Sequence, residues 1–250
     1  MKVTEQSGWR WNGKRDVYEG LPEGLWKQPI PVTMVPKWLI DPQNQTRIGQ
    51  HLTRYVTSYS GRHFETFASR STTPIFSTWD VLAAESLSVV IPPEVVLWLT
   101  DSTSEDQRAR DSALNRLHQR LVLGNETLWT CDEEVLSDGE DLDVVYQLLK
   151  KHKNMSYVKS SKLLAAKFSA IVPIRDRQVE SLLGLRESDQ WWRDIRGILC
   201  EGGVKLVGHL DGLRVPDGLH AITTLRRLDI ILWMEAKARG FSPRGNNKEE

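Results

Sequence analysis

Cysteine is nearly absent from this sequence. Cys131 and Cys200 are the only two in 250 residues, too few for a disulfide framework or a four-cysteine iron–sulfur site. The six histidines (51, 63, 118, 152, 209 and 220) include no i,i+4 pair and no neighbouring cysteine ligand. The spacings of a zinc site are therefore missing, and neither metal nor cofactor is expected. Long apolar runs are lacking too, since nothing approaches the roughly 20 residues that a membrane helix needs. The stretch MKVTEQSGWRWNGKRD has no apolar h-region of a secretory signal, so a cytoplasmic protein that avoids membranes is expected. Net charge is the third absence. Thirty-three basic residues balance thirty-three acidic ones, and the whole molecule exerts no long-range pull on nucleic acid.

The charge that is present is segregated. From Lys150 to Arg177 eight basic residues face one acid, Asp176, for a local +7, and from Asp132 to Asp143 seven acids stand without a base. A basic patch on a neutral protein can hold phosphates. The plainer account of charge alone is two blocks that face water or partly neutralise each other. With 40% apolar and 26% charged residues, the chain is globular in composition and long enough to bury a substantial core.

Residues 1–45 are rich in proline and tryptophan. Four prolines between Pro29 and Pro42, with Pro22 before them, exclude a long helix. The segment reads as extended chain packed on the core through Trp26 and Trp38, with Trp9 and Trp11 anchoring its start. Helical signatures then follow from 46 to 240. TRIGQHLTRYVTSYS is one; TWDVLAAESLSVV, with Asp80 in its first turn, runs towards Pro92 and Pro93, which open PPEVVLWLTD. TSEDQRARDSALNRLHQRLVLG has a cap, early acids, later bases and a terminal glycine. Beyond the acidic loop come EDLDVVYQLLKKHK, a helix pair within 152–183, SDQWWRDIRGILCEGG capped by Ser188, VKLVGHLDGLRV, and LHAITTLRRLDIILWMEAKARG ending at Gly240. Residues 241–250 read as a frayed tail. Beyond IPVTMV no alternating strand pattern stands out. The expected class is all-α, with one helical domain over 46–240.

The helix pair, HKNMSYVKSSKLLAAKFSAIVPIRDRQVESLL, carries the chemistry. Tyr157, Val158, Ser161, Leu164, Ala165 and Phe168 fall on one helical face, a predicted buried stripe, with Lys159, Lys162 and Lys167 off it. A second helix follows Pro173, and Asp176 sits at its entrance. Asp is a favoured N-cap on structural grounds, worth about 1 kcal/mol. Taken alone, Asp176 is a cap.

The arrangement of a turn into a helix, some seventeen residues, and then an apolar-X-Asp entering a second helix resembles the helix-hairpin-helix DNA glycosylases, the endonuclease III-like superfamily. VKSSKLL stands in place of the hairpin and its helix, and VPIRDRQVESLL in place of the catalytic-aspartate segment. Ser156, Tyr157 and Val158 replace the family's Gly-Val-Gly, and the cysteine-cluster loop is absent. The stretches YSGRHFETF, SLSVVIP and SSKLLAAKFSAIVPIRDRQV also look like a bacterial domain family of uncharacterised function, over most of 46–236.

The glycosylase resemblance implies a helical bundle that holds double-stranded DNA, flips out a damaged or modified base and cleaves its N-glycosidic bond. Modified phage DNA is one such target. Asp176 would be the carboxylate that stabilises the sugar cation or activates water. Lys159, at the position of the family's Schiff-base lysine, is the alternative, though phosphate contact is its simpler role. Ser156, Tyr157, Lys159, Ser160, Lys162, Arg175 and Arg177 would form the DNA face. Arg62 and His63 after a glycine turn, Trp192 beside the core residue Trp191, and Asp229 in an apolar helix are further pocket candidates. The bland accounts of the last two are packing and a salt bridge to Arg226. Asp80 and Glu85 read as helix-surface acids. A monomer is expected. Two competing readings stand beside the enzyme: a non-catalytic helix-hairpin-helix DNA-binding protein, and a protein-interaction domain that uses its charged blocks.

Overall fold

The structure, a computed structural model, describes residues 9–11, 16–18, 24–185, 189–215 and 222–241. The fold is all-α. Its helices are α1 (Val35–Ile40), α2 (Gln45–Ser58), α3 (Phe64–Ala68), α4 (Thr78–Ser86), α5 (Pro93–Thr100), α6 (Glu105–Leu117), α7 (Asp141–Lys150), α8 (Tyr157–Lys167), α9 (Arg177–Leu183), α10 (Trp191–Gly212) and α11 (Thr224–Ala238). Two three-residue strands, β1 (Trp9–Trp11) and β2 (Asp16–Tyr18), pair antiparallel ahead of them.

Several helix starts follow from local chemistry. Ser104 and Gln107 form a reciprocal capping box on α6, Ser77 and Asp80 form one on α4, and Thr223 caps α11 through its side chain. The cap expected at Ser188 lies outside the described residues, as do the side chains of Trp9 and Trp11 and the tail from 242. IPVTMV is no strand. It bends into a 3-10 turn at Val32–Met34 and then α1, because Pro36 suits a first helical turn. TWDVLAAESLSVV stops earlier than its pattern suggests: α4 ends at Ser86, and Ser88 takes φ 62°. SDQWWRDIRGILCEGG and VKLVGHLDGLRV run together as α10 across a kink at Gly203, which takes φ 54° and ψ −156°.

The core centres on α8 and α11. Every residue from Ser160 to Ala166 is buried, and α8 packs on α3, α4 and α7, while α11 packs on α2, α9 and α10. A helix covered on all sides belongs to the interior. This corrects the single stripe expected for α8. Lys162 and Lys167 are not on a solvated face, because the helix has none along that stretch. Lys167 makes a 2.9 Å ion pair with Asp80 and donates to Ser71 Oγ, Thr73 O and Ile75 O. Asp80 is fully buried and not a surface acid. Glu85 is half-buried and accepts from Ile91 N at 3.0 Å.

Two other expectations are sharpened. Trp26 is half exposed and not part of the core, which corrects the anchor expected there, while Trp38 does pack on the core; Trp26 lies over Gly240 beyond the end of α11, where Lys27 N donates to Arg239 O. The acidic block is partly neutralised by arginines outside the 150–177 basic block and, among the described residues, not by that block: Asp141 pairs with Arg116, Asp132 with Arg120, and Glu133 with Arg193 and Arg196.

Candidate active site

After α8 the chain turns at Phe168–Ile171 and runs extended to Asp176. Ser161 holds this run against the helix: its hydroxyl donates to Pro173 O at 3.1 Å and accepts from Arg175 N at 2.9 Å. Asp176, with φ −136° and ψ 135°, is the N-cap of α9 and accepts from Gln178 N at 2.9 Å. The helix is seven residues long and is closed by Gly184, which takes the left-handed φ of 69° that suits a C-terminal glycine. Asp176 is therefore placed by a side-chain clamp on one side and a short capped helix on the other.

The carboxylate of Asp176 opens into a cavity of about 350 Å³. Lys162 Nζ reaches the cavity from α8, 3.7 Å from Asp176 Oδ2, and donates to Leu87 O at 2.9 Å. Burial pulls the Lys162 amine below the usual lysine range, against the opposing pull of Asp176. The turn at Ser86–Val89 forms one wall, and Ser60 Oγ ties it to α2's end by donating to Ser86 O. Tyr55, Tyr59 and Trp233 form another. Tyr55 and Tyr59 are stacked at 6.1 Å, and Trp233 meets Tyr59 edge-on at 5.1 Å. The Lys237 ammonium lies over both Tyr59 and Trp233. Lys159 and Arg177 also line the cavity, and Arg177 is exposed.

Asp229 enters the same cavity from α11. Its Oδ2 accepts from Ile174 N at 3.1 Å, two residues before Asp176. The expected salt bridge to Arg226 is not formed. Arg226 turns instead to Glu65 at 2.8 Å and to Tyr55 Oη, with its guanidinium over Phe64. Burial pushes the Asp229 carboxyl up to about 7, against the lowering influence of Arg226 and the Ile174 N–H.

Other predicted residues divide clearly. Ser160 is fully buried, and Lys162 is 5% exposed, so neither can grip a phosphate at the surface. Ser156 caps α8 by accepting from Lys159 N, and Lys159 Nζ donates to Asn154 O. The amine beside the Asp176 carboxylate is that of Lys162, not Lys159. Tyr157 and Arg175 stack on one another and both bind Glu180. They line a second, polar cavity of about 600 Å³ with Trp192, whose ring meets Tyr146 at 5.2 Å. Trp192 thus lies away from Asp176. Arg62 and His63 line neither cavity; Arg62 donates to Thr57 O and to His63, while neighbouring Ser60 and Gly61 line the first.

Sequence reasoning missed Tyr59, Trp233 and the Ser86–Val89 turn. Trp233 stands on α11 and Tyr59 directly after the end of α2, but nothing local says that these two places converge. Among the described residues no helix is long and apolar enough to cross a membrane. The chain belongs to a family of unknown function, DUF6308, which matches residues 48–236. No curated protein and no solved structure matches the chain.

Proposed function

We propose that the cavity at Asp176 is the active site of a monofunctional DNA N-glycosylase that excises a modified or damaged base. The observation that carries this reading is a carboxylate at a helix N-terminus, opening into a small-molecule-sized cavity beside aromatic rings. Cavities that take small ligands run from roughly 300 to 1,000 Å³. A base swung out of the duplex would lie against the aromatic wall of Tyr55, Tyr59 and Trp233, which replaces part of the apolar surface lost with the stack. Lys159 and Arg177 at the cavity are placed to meet the flanking phosphates. As the C1′–N bond lengthens, positive charge grows on the sugar. The Asp176 carboxylate is the group positioned to stabilise that charge and to activate water. Lys162 is engaged by Leu87 O and Asp176, an arrangement that orients the carboxylate. The space beyond a single plain base suits a substituted one, and bases of modified phage DNA are a target class that fits.

A non-catalytic DNA-binding role has one observation in its favour: the Gln178 N–H and the Lys162 ammonium already account for the Asp176 carboxylate. Asp176→Asn separates the two readings. Asn caps a helix about as well as Asp and keeps an oxygen for Gln178 N–H, so folding and duplex affinity are expected to persist. Base release from a panel of duplexes bearing uracil, 8-oxoguanine, hypoxanthine, 5-hydroxymethylcytosine and glucosylated 5-hydroxymethylcytosine should fall by about 100- to 1,000-fold. Release at the wild-type rate would reduce Asp176 to a cap.

A further inference from the structure

We infer that Asp229 is a second catalytic carboxyl of this site, a proton donor to the departing base, and that the substrate is therefore a base attached as a neutral heterocycle. The inference rests on the active-site reading above and names the chemistry that reading leaves open. A neutral base leaves poorly as an anion and needs a proton as it departs. A base that already carries a fixed positive charge needs none.

Three features of the geometry support the assignment. First, Asp229 and Asp176 line one cavity but come from different elements. The backbone N–H of Ile174 holds Asp229 Oδ2 at 3.1 Å, and Ile174 lies about 6–7 Å along the extended chain from Asp176. The two carboxyls are thus fixed to one short stretch of backbone. Second, their surroundings differ. Asp176 has a helix N-terminus and the Lys162 ammonium beside it. Asp229 has the single Ile174 N–H and no salt bridge among the described residues, because Arg226 is drawn off by Glu65 and Tyr55. Third, Asp229 is buried on an otherwise apolar stretch of α11, where a neutral carboxyl costs less than an ionised one. Its elevation to about 7 by burial agrees with this placement. Two carboxyls held in contrasting environments are a recurrent basis for dividing acid from base roles.

The step balances without any further reactant than water. The Asp229 carboxyl gives its proton to a ring nitrogen or carbonyl oxygen of the base as the C1′–N bond breaks and its electron pair passes to the base. Water adds to C1′ of the sugar cation, and Asp176 takes the proton that the water sheds. Solvent then restores both carboxyls.

The groups facing Asp229 are Arg226 on its own helix, Glu65 and Tyr55 behind that guanidinium, and Lys162 and Asp176 across the cavity. Among them, Asp229 is the carboxyl whose loss of a proton near pH 7 would slow departure of a neutral base. The test uses the full chain and the duplex panel named above, in single turnovers between pH 5.5 and 9. On whichever base the wild type releases, its rate should fall about tenfold per pH unit above about 7. Asp229→Asn keeps an oxygen for Ile174 N–H; it should be slower by about 100- to 10,000-fold at pH 6 and lack that descent. Its melting temperature and duplex affinity should stay close to wild type. A descent that survives in the variant, or a loss by one factor at every pH, would show a structural role and overturn the proposal. A duplex bearing 7-methylguanine, a base with a fixed positive charge, separates the two readings: release of that base alone overturns this inference and leaves the active site standing, and release of no base at all overturns both.

Discussion

Removing the Lys167 ammonium should destabilise the protein more than most single changes, because it strips the partner from a carboxylate with no route to water. The Lys167 and Asp80 side chains are 2% and 0% exposed and lie 2.9 Å apart. Lys167 Nζ also bonds Ser71 Oγ, Thr73 O and Ile75 O, so one cation satisfies four oxygen-bearing groups. In Lys167→Met the stem volume is retained and the charge is lost. Asp80 keeps Ser71 Oγ, Ser77 N and Ser77 Oγ as donors, which softens the loss without supplying a positive charge. Breaking a buried pair from one side costs about 3–5 kcal/mol. For a chain of this size each kcal/mol is about 2–4 °C in melting temperature, so a fall of about 6–20 °C is expected. Thermal melting and urea titration at constant protein concentration read it directly. The double variant Lys167→Met/Asp80→Asn should lose less than the sum of the two singles, since the uncompensated charge is then gone. A fall under about 3 °C for Lys167→Met would refute the reasoning, and so would strictly additive losses.

The proposed DNA face is tested at two cations that line the cavity: Lys159→Glu and Arg177→Glu should each weaken duplex binding and lower the salt slope by about 1. Affinity unchanged across a salt titration would remove DNA from the account. Gly203 lies in a region of backbone space open essentially to glycine alone, so Gly203→Ala should cost about 1–3 kcal/mol in urea melts and unsettle the kink of α10. A neutral result there would mean that α10 can straighten without loss.

What could be read along the chain was local. The all-α class, the cap ahead of α6 and the cap at Asp176 depend on residues within a turn of each other, and the structure shows them in those places. Burial was not. Lys162 and Lys167 carry charge and fall off the predicted stripe, so a reading of α8 by itself puts them in water; only the packing of α3, α4 and α7 on that helix covers them. Asp80 looked like a first-turn surface acid until a lysine 87 residues later closed on it. Asp229 lost its neighbour Arg226 to Glu65, 161 residues away, and found the Ile174 N–H instead. Tyr59 and Trp233 meet because α2 packs on α11. Helix caps and periodicity are set by contacts a few residues apart, and these the sequence displays directly. Which charge is paired, which is buried and which rings line the cavity are set by contacts between distant segments. Those depend on how the helices pack, and that was settled only when all of them had to share one core.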